Sequence, residues 1–188
     1  MGGGEAVKNK IVVIDPGHGG RDPGATADGI NEKDLNLRIA ARLYILLKNL
    51  GFKVKMTRSD DRYLSLEDRV KIANDVNADI FISIHCNAAS SYKANGIESL
   101  YYPGSDKGKI LAKEIQNTII DKLNRTDRGI KTRPDLFVLK YTSMPTVLVE
   151  CGFITNAEER KLITADRYRN DIAAAIFYGV GEYYEKIK

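Results

Sequence analysis

The chain has 188 residues, 43% hydrophobic and 29% charged, the proportions of a globular protein with one substantial core. Its formal net charge is +4, and lysine and arginine are scattered rather than gathered in a stripe, which argues against nucleic acid as a partner. No window approaches the roughly 18 consecutive apolar residues of a membrane span, and two cysteines, Cys86 and Cys151, are too few for a disulfide framework.

In chain order, Met1-Gly-Gly-Gly-Glu-Ala6 reads as an appended or trimmed terminus without a secretory leader pattern. Residues 1–9 are expected to be disordered, which leaves 10–188 as a single domain. Ile11 to Ile14 is a run of aliphatic, β-branched residues and predicts a buried strand. It breaks at Asp15-Pro-Gly-His-Gly-Gly20, where proline cannot donate to a ladder and glycine permits tight backbone, so His18 is presented on a loop at the strand's carboxyl end.

Asn31, as N-cap with Asp34 three residues on, starts a helix through Leu35, Ile39, Leu43 and Leu47, and Gly51 ends it. Lys53 to Thr57 alternates as a second strand. Ser65 with Asp68 opens a helix carrying Val70, Ala73 and Val76. Asp79 to His85 and Gly96 to Tyr102 predict two further strands, and Ser105 to Asn124 a long amphipathic helix. Leu136 to Leu139 reads as a short strand or turn. Thr146 to Glu150 predicts a central strand, Asn156 with Glu159 caps a short helix, and Ala165 to Ile187 makes a final one. Strands alternating with helices predict an α/β fold: a single domain with a mostly parallel twisted sheet of about six strands and helices on both faces.

His18 and His85 are the only histidines, and each closes a predicted apolar strand. In a parallel sheet such ends open onto one rim, where ligands bind. Two imidazoles and a carboxylate form a zinc site with an open fourth position. The candidate carboxylates are Asp15, Asp22, Asp28, Glu32 and Asp34 from the first loop and helix start, and Glu150 from the later strand. Spacing alone leaves Glu32 as an acid favoured at a helix start. Glu150 ends the buried run Val147-Leu-Val149, a place for a general base beside a metal. Cys86 and Cys151 directly follow His85 and Glu150, so strand alternation turns both thiols away from the site as buried packing groups. Asp15 and Asn87 are candidates for orienting an imidazole, although Asp15 beside Pro16 equally suits turn chemistry. Arg133 and Asp135 fall in a polar loop that either touches substrate or is simply solvated.

Four motifs in order, Ile14-Asp-Pro-Gly-His-Gly-Gly-Arg-Asp-Pro-Gly-Ala25, Asn31-Glu-Lys-Asp-Leu-Asn-Leu37, Ser83-Ile-His-Cys-Asn-Ala88 and Val147-Leu-Val-Glu-Cys-Gly-Phe-Ile-Thr-Asn156, resemble the zinc-dependent N-acetylmuramoyl-L-alanine amidases. The resemblance runs from about Lys10 to the last helix. It implies that His18, Glu32 and His85 hold Zn2+ and that Glu150 is the catalytic acid/base. The implied reaction hydrolyses the amide between N-acetylmuramic acid and L-alanine in peptidoglycan, outside the cytoplasm at the cell wall. It further implies a monomer, allows an activator protein as partner, and involves no membrane span. The stretch from Tyr102 to Thr146 is too short for the inhibitory helical insertion of some relatives, so an open site is expected. Three alternatives remain at this level: a metallopeptidase cutting within the stem peptide, a binding module without turnover, and a nucleotide-binding domain. The last is disfavoured because Pro16 to Gly20 lacks both the Gly-x-Gly-x-x-Gly spacing and a Lys-Ser/Thr pair.

Overall fold

The order of strands across the sheet explains where the two histidines meet. The computed structural model of the chain describes residues 9–188, so the expectation for the first eight residues lies outside the described residues. The strands are β1 (Ile11–Pro16), the small hairpin β2 (Thr26–Ala27) and β3 (Ile30–Asn31), β4 (Lys53–Met56), β5 (Ile80–Asn87), β6 (Ile97–Tyr101), β7 (Asp127–Thr132) and β8 (Thr146–Phe153). The helices are α1 (Glu32–Leu50), α2 (Leu66–Asp75), α3 (Asp106–Leu123), α4 (Phe137–Tyr141), α5 (Ala157–Ile163) and α6 (Asp166–Lys186). Six strands form the main sheet in the order β4-β1-β5-β8-β6-β7. β4, β1, β5 and β8 run parallel, β6 is antiparallel to β8, and β7 is parallel to β6. From β1 the chain crosses first to β4 on one side and then to β5 on the other. That reversal opens a crevice at the carboxyl ends of β1 and β5.

The helix boundaries follow their capping residues. The Ser65 hydroxyl accepts from the Asp68 amide while the Asp68 carboxylate accepts from the Ser65 amide, a full capping box. Gly51 closes α1 in the left-handed region at φ 103°. Asn31 is the N-cap of α1 by backbone alone, since its side chain makes no capping bond.

The two faces of the sheet are covered unequally. One packs Ile14, Ile82, Ile84, Val147 and Val149 against Leu35, Ile39 and Leu43 of α1, Leu111 and Ile115 of α3, and Ile172 and Ile176 of α6. The other packs Val13, Phe81, Leu100 and Leu148 against Val70 and Ala73 of α2 and Val138 and Leu139 of α4. Helices of 10 and 5 residues cannot roof that face. Its carboxyl-terminal half stays open.

Two expectations change. Leu136 to Leu139 is not a strand or turn: Leu136 caps α4, whose Phe137 and Tyr141 rings pack at 4.4 Å one helical turn apart. The sixth strand is instead β7, Asp127-Arg-Gly-Ile-Lys-Thr132, a charged edge strand with one apolar residue. Charge on an edge blunts pairing with other chains, and it also hides the strand from an apolar pattern. β8 runs three residues past Glu150, to Phe153.

Beneath the open half of the sheet lies a buried ion pair. Asp15, 1% exposed, accepts from Arg69 Nη1 at 2.7 Å, Thr57 Oγ1 at 2.6 Å and Ser83 Oγ at 2.8 Å. Burial alone raises a carboxyl pKa, but the Arg69 charge and these three donors hold Asp15 below its usual 3.8. The turn role for Asp15 is therefore replaced by a core role, and it orients no imidazole. Asp15→Asn keeps the shape and removes the counter-charge of Arg69, at an expected cost of about 3 kcal/mol near neutral pH. Because the folded pKa is depressed, that stability is complete above the unfolded value of 3.8 and is lost as pH falls through the folded one. Urea unfolding should show a constant gap between the proteins at neutral pH that narrows below pH 3.8.

Candidate metal centre

The loop after β1 is held from below. Arg58, fully buried and without a carboxylate partner among the described residues, donates Nε to the Pro16 carbonyl at 2.9 Å and Nη2 to the carbonyls of Gly17 at 2.8 Å and Lys33 at 2.9 Å. Arg69 donates to the carbonyls of Pro16 at 2.8 Å and His18 at 2.7 Å. With the backbone so tied, His18 sits at φ +60°, an uncommon conformation for a residue with a side chain. Its imidazole points up into the crevice. Nδ1 donates to Asp22 Oδ2 at 2.8 Å, and Asp22 is itself fixed by the Gly24 amide.

Glu32 opens α1 but is not a mere helix-start acid. It is 4% exposed, and its carboxylate reaches toward both histidines. Oε2 lies 3.1 Å from His18 Nε2 and accepts from the Ala25 amide at 2.9 Å. Oε1 lies 2.9 Å from His85 Nδ1 and accepts from the Cys86 amide and Asn36 Nδ2, each at 3.1 Å. One ligand atom from each of His18, Glu32 and His85 falls within 4.8 Å of the others. Two strand ends and one helix start thus come together as a group that could hold a metal ion. The surroundings leave space that only glycine permits. A Cβ on Gly17 would stand 2.2 Å from His85 Cε1, and one on Gly24 2.6 Å from both Glu32 Oε2 and His18 Cδ2.

The charges fit a cation. Burial lowers the His18 pKa, but Glu32 and Asp22 outweigh it and raise the group from 6.5 to about 9. Burial would raise Glu32, yet the bonds and charges of the two histidines hold it well below its ordinary value. A proton thus occupies the centre where two neutral imidazoles and a carboxylate would bind a divalent metal. Asp22 on the far nitrogen of His18 is the kind of outer partner that fixes a ligand's tautomer.

Glu150 stands beside His85, its parallel partner in the β5–β8 register, on the same face. Its Oε2 is buried and has no hydrogen-bond partner among the described residues. Burial, reinforced by Glu32 and Glu98 and opposed by His85 and His18, pushes its pKa to about 7. Cys86 and Cys151 are buried, free and turned into the opposite core. Asn87 holds no imidazole: its Nδ2 donates to Glu98 Oε1 at 3.1 Å. Among the other candidates, Asp28 pairs with Arg160 on the surface, and Asp34 lies at the start of α1 beside a separate small cavity. Asp135 pairs with Arg133 through two bonds and lines the same cavity of about 590 Å³ as His18, His85, Tyr63, Leu64, Leu136 and Phe137.

With this geometry in view, the similarities are specific. Residues 12–182 match the family model described as N-acetylmuramoyl-L-alanine amidase. The chain belongs to the N-acetylmuramoyl-L-alanine amidase family. The N-acetylmuramoyl-L-alanine amidase LytC of Bacillus subtilis is 41% identical over 181 residues, 95% of this chain but 36% of LytC, so this chain spans about a third of that relative. A solved N-acetylmuramoyl-L-alanine amidase from Clostridium difficile 630 superposes with TM-score 0.92 at 38% identity, covering 96% of this chain and all of the other. The CwlD amidase of Clostridioides difficile, solved with the GerS lipoprotein, superposes with TM-score 0.92 at 35% identity, covering 96% of this chain and all of the other.

Two measurements check the centre. At pH 7 a zinc or cobalt titration should release about one proton, read as the dependence of calorimetric heat on buffer. Affinity should weaken by up to about tenfold per pH unit below 9, because His18 must lose its proton. Gly17→Ala should fold and yet bind the metal at least about tenfold more weakly, since His85 must move from the added methyl.

Proposed function

We propose that this chain hydrolyses the amide between N-acetylmuramic acid and L-alanine of peptidoglycan, with zinc held by His18, Glu32 and His85 and with Glu150 as acid/base. The observation that carries the reading is the pairing of a two-histidine, one-carboxylate cluster with a neighbouring carboxyl whose Oε2 lacks any partner. Family membership supplies the bond that is cut.

A zinc ion bound at the cluster supplies Lewis-acid polarisation of the scissile carbonyl and of the attacking water. The protein's own groups do the rest. Glu150 accepts the proton of the attacking water as its oxygen bonds to the lactyl carbonyl carbon. Glu150 then returns that proton to the L-alanine nitrogen as the C–N bond breaks, so one carboxyl serves as base and then acid. A pKa near 7 suits both roles at neutral pH. Asp22 holds the imidazole of His18 in place, and the two arginines below keep its backbone from shifting.

The open half-face and its cavity suit a polymeric substrate, and the proposed place of action is the cell wall outside the cytoplasm. We take the chain to act as a monomer. A bound activator protein is the second arrangement, since the relative CwlD forms a complex with the GerS lipoprotein. Activity of the purified chain alone decides between the two.

Glu150→Gln should retain the metal and lose at least about a hundredfold in kcat on purified peptidoglycan. In the active protein the rate should fall on the acid side at or below pH 7, as Glu150 takes up a proton. Mass analysis should find new L-alanine amino ends and peptide-free glycan, abolished by chelation and restored by zinc. New amino ends elsewhere in the stem would instead make the chain a peptidase.

A further inference from the structure

We propose that Lys131 and Arg128, gathered around the buried Glu98, select substrates whose stem peptide carries a free carboxylate on its second residue. The inference rests on the amidase reading above and adds which part of the substrate lies on which side of the centre.

Glu98 faces Glu150 in the β6–β8 register, so the two carboxyls share one face of the sheet on neighbouring strands. Glu98 is 8% exposed. Its Oε2 accepts from Lys131 Nζ at 2.6 Å and Arg128 Nε at 2.9 Å, and its Oε1 from Asn87. Two cations on the Glu98 carboxylate leave one positive charge over within this trio, with Glu150 as a further acid across the β6–β8 register. That positive charge is accessible, because the Lys131 and Arg128 side chains are 45% and 35% exposed. The nearby Arg133 and Asp135 cancel each other through their paired bonds and leave this surplus intact. The apolar cluster on this face, which includes Val138 and Leu139 of α4, reaches β6 at Leu100 and does not include Glu98, Arg128 or Lys131.

The opposite flank of the centre has different chemistry. There Tyr63, Leu64, Leu136 and Phe137 give the cavity an apolar and aromatic wall beside the mutually paired Asp15 and Arg69. The substrate is asymmetric in the same sense. The sugar and its lactyl ether are uncharged, whereas the stem peptide bears carboxylates beginning at its second residue. Apolar and aromatic walls suit the sugar side, and the cationic shelf suits the peptide side. Dimensions agree. Two strand spacings from β8 to β7 come to about 9.5 Å, and Lys131 reaches back over one of them to Glu98. Two extended residues carry a carboxylate about 7 Å from the scissile nitrogen. Charge-assisted bonds from a lysine and an arginine favour a carboxylate there over its neutral amide.

The test uses two synthetic muramyl tripeptides that differ only at the second residue, one with the free α-carboxylate and one with the α-amide. Because the cations are partly solvated, the zinc-loaded protein should prefer the acid by about threefold to tenfold in kcat/KM, chiefly through KM. Lys131→Met should bring the ratio close to one, and Lys131→Arg should restore it, with metal content unchanged in both. Calorimetric titration of the two released tripeptides into the metal-free protein should rank them in the same order. Equal rates on both substrates, or a preference that survives Lys131→Met, would overturn the assignment while leaving the amidase standing. Failure of the zinc-loaded protein to cut either substrate at the muramoyl amide would remove the amidase reading and this inference together.

Discussion

The structure depends on two arginines that are buried with too few negative charges to match them. Arg58 and Arg69 lie under the loop that follows β1, and between them they have one buried carboxylate, Asp15, and a set of carbonyl oxygens. An arginine in a low-dielectric interior must have its N–H groups satisfied or it costs several kcal/mol. The carbonyls of Pro16, Gly17 and His18 are therefore drawn downward. With its carbonyl pinned, His18 accepts a left-handed backbone worth roughly 1 kcal/mol or more of strain, and its ring is left facing the crevice. The placement of the His18 ring thus comes from charges that grip its backbone rather than its imidazole.

Topology supplies the second ligand. Because the chain leaves β1 toward β4 and returns to β5 on the other side, the loops after β1 and β5 diverge and leave a gap between neighbouring strands. His85 enters that gap from β5. Glu32 enters from α1, whose first residue lies over the strand ends because the small β2–β3 hairpin carries the chain back. The carboxylate between two imidazoles then makes a site that holds a proton on His18 at neutral pH and can exchange it for a divalent cation.

How much of this the sequence revealed depends on the range of the interaction. Apolar runs at Ile11 to Ile14, Ile80 to Ile84 and Val147 to Val149 needed no partner to be read as strands, because burial on both faces leaves its mark on every residue. The edge strand β7 left no such mark, since its stability comes from one ladder and its side chains face water. Thr57, Arg69 and Ser83 converge on Asp15 from 42, 54 and 68 residues away, and no local pattern carries that information. Beside Pro16 the local signal for Asp15 was a turn, and the tertiary contact won. Asp22 showed only as one acid among several. Its spacing of four from His18 and the Gly24 amide behind it were the signal for its actual role.

His85 and Glu150, two of the four candidate site residues, were legible from their strands alone, for a reason that also ties them to the core. In β5 and β8 the side chains alternate, so His85 and Glu150 occupy one face while Ile84, Cys86, Val149 and Cys151 pack into the other. A slip of one residue in either strand would turn a thiol toward the centre and drive a carboxyl or an imidazole into the apolar layer. That exchange would bury a charge without a partner. The packing of α1, α3 and α6 against the far face therefore enforces the register in which the two candidate site residues stand together. The small buried thiols serve this arrangement because they fill the core tightly while placing no second polar group opposite the site.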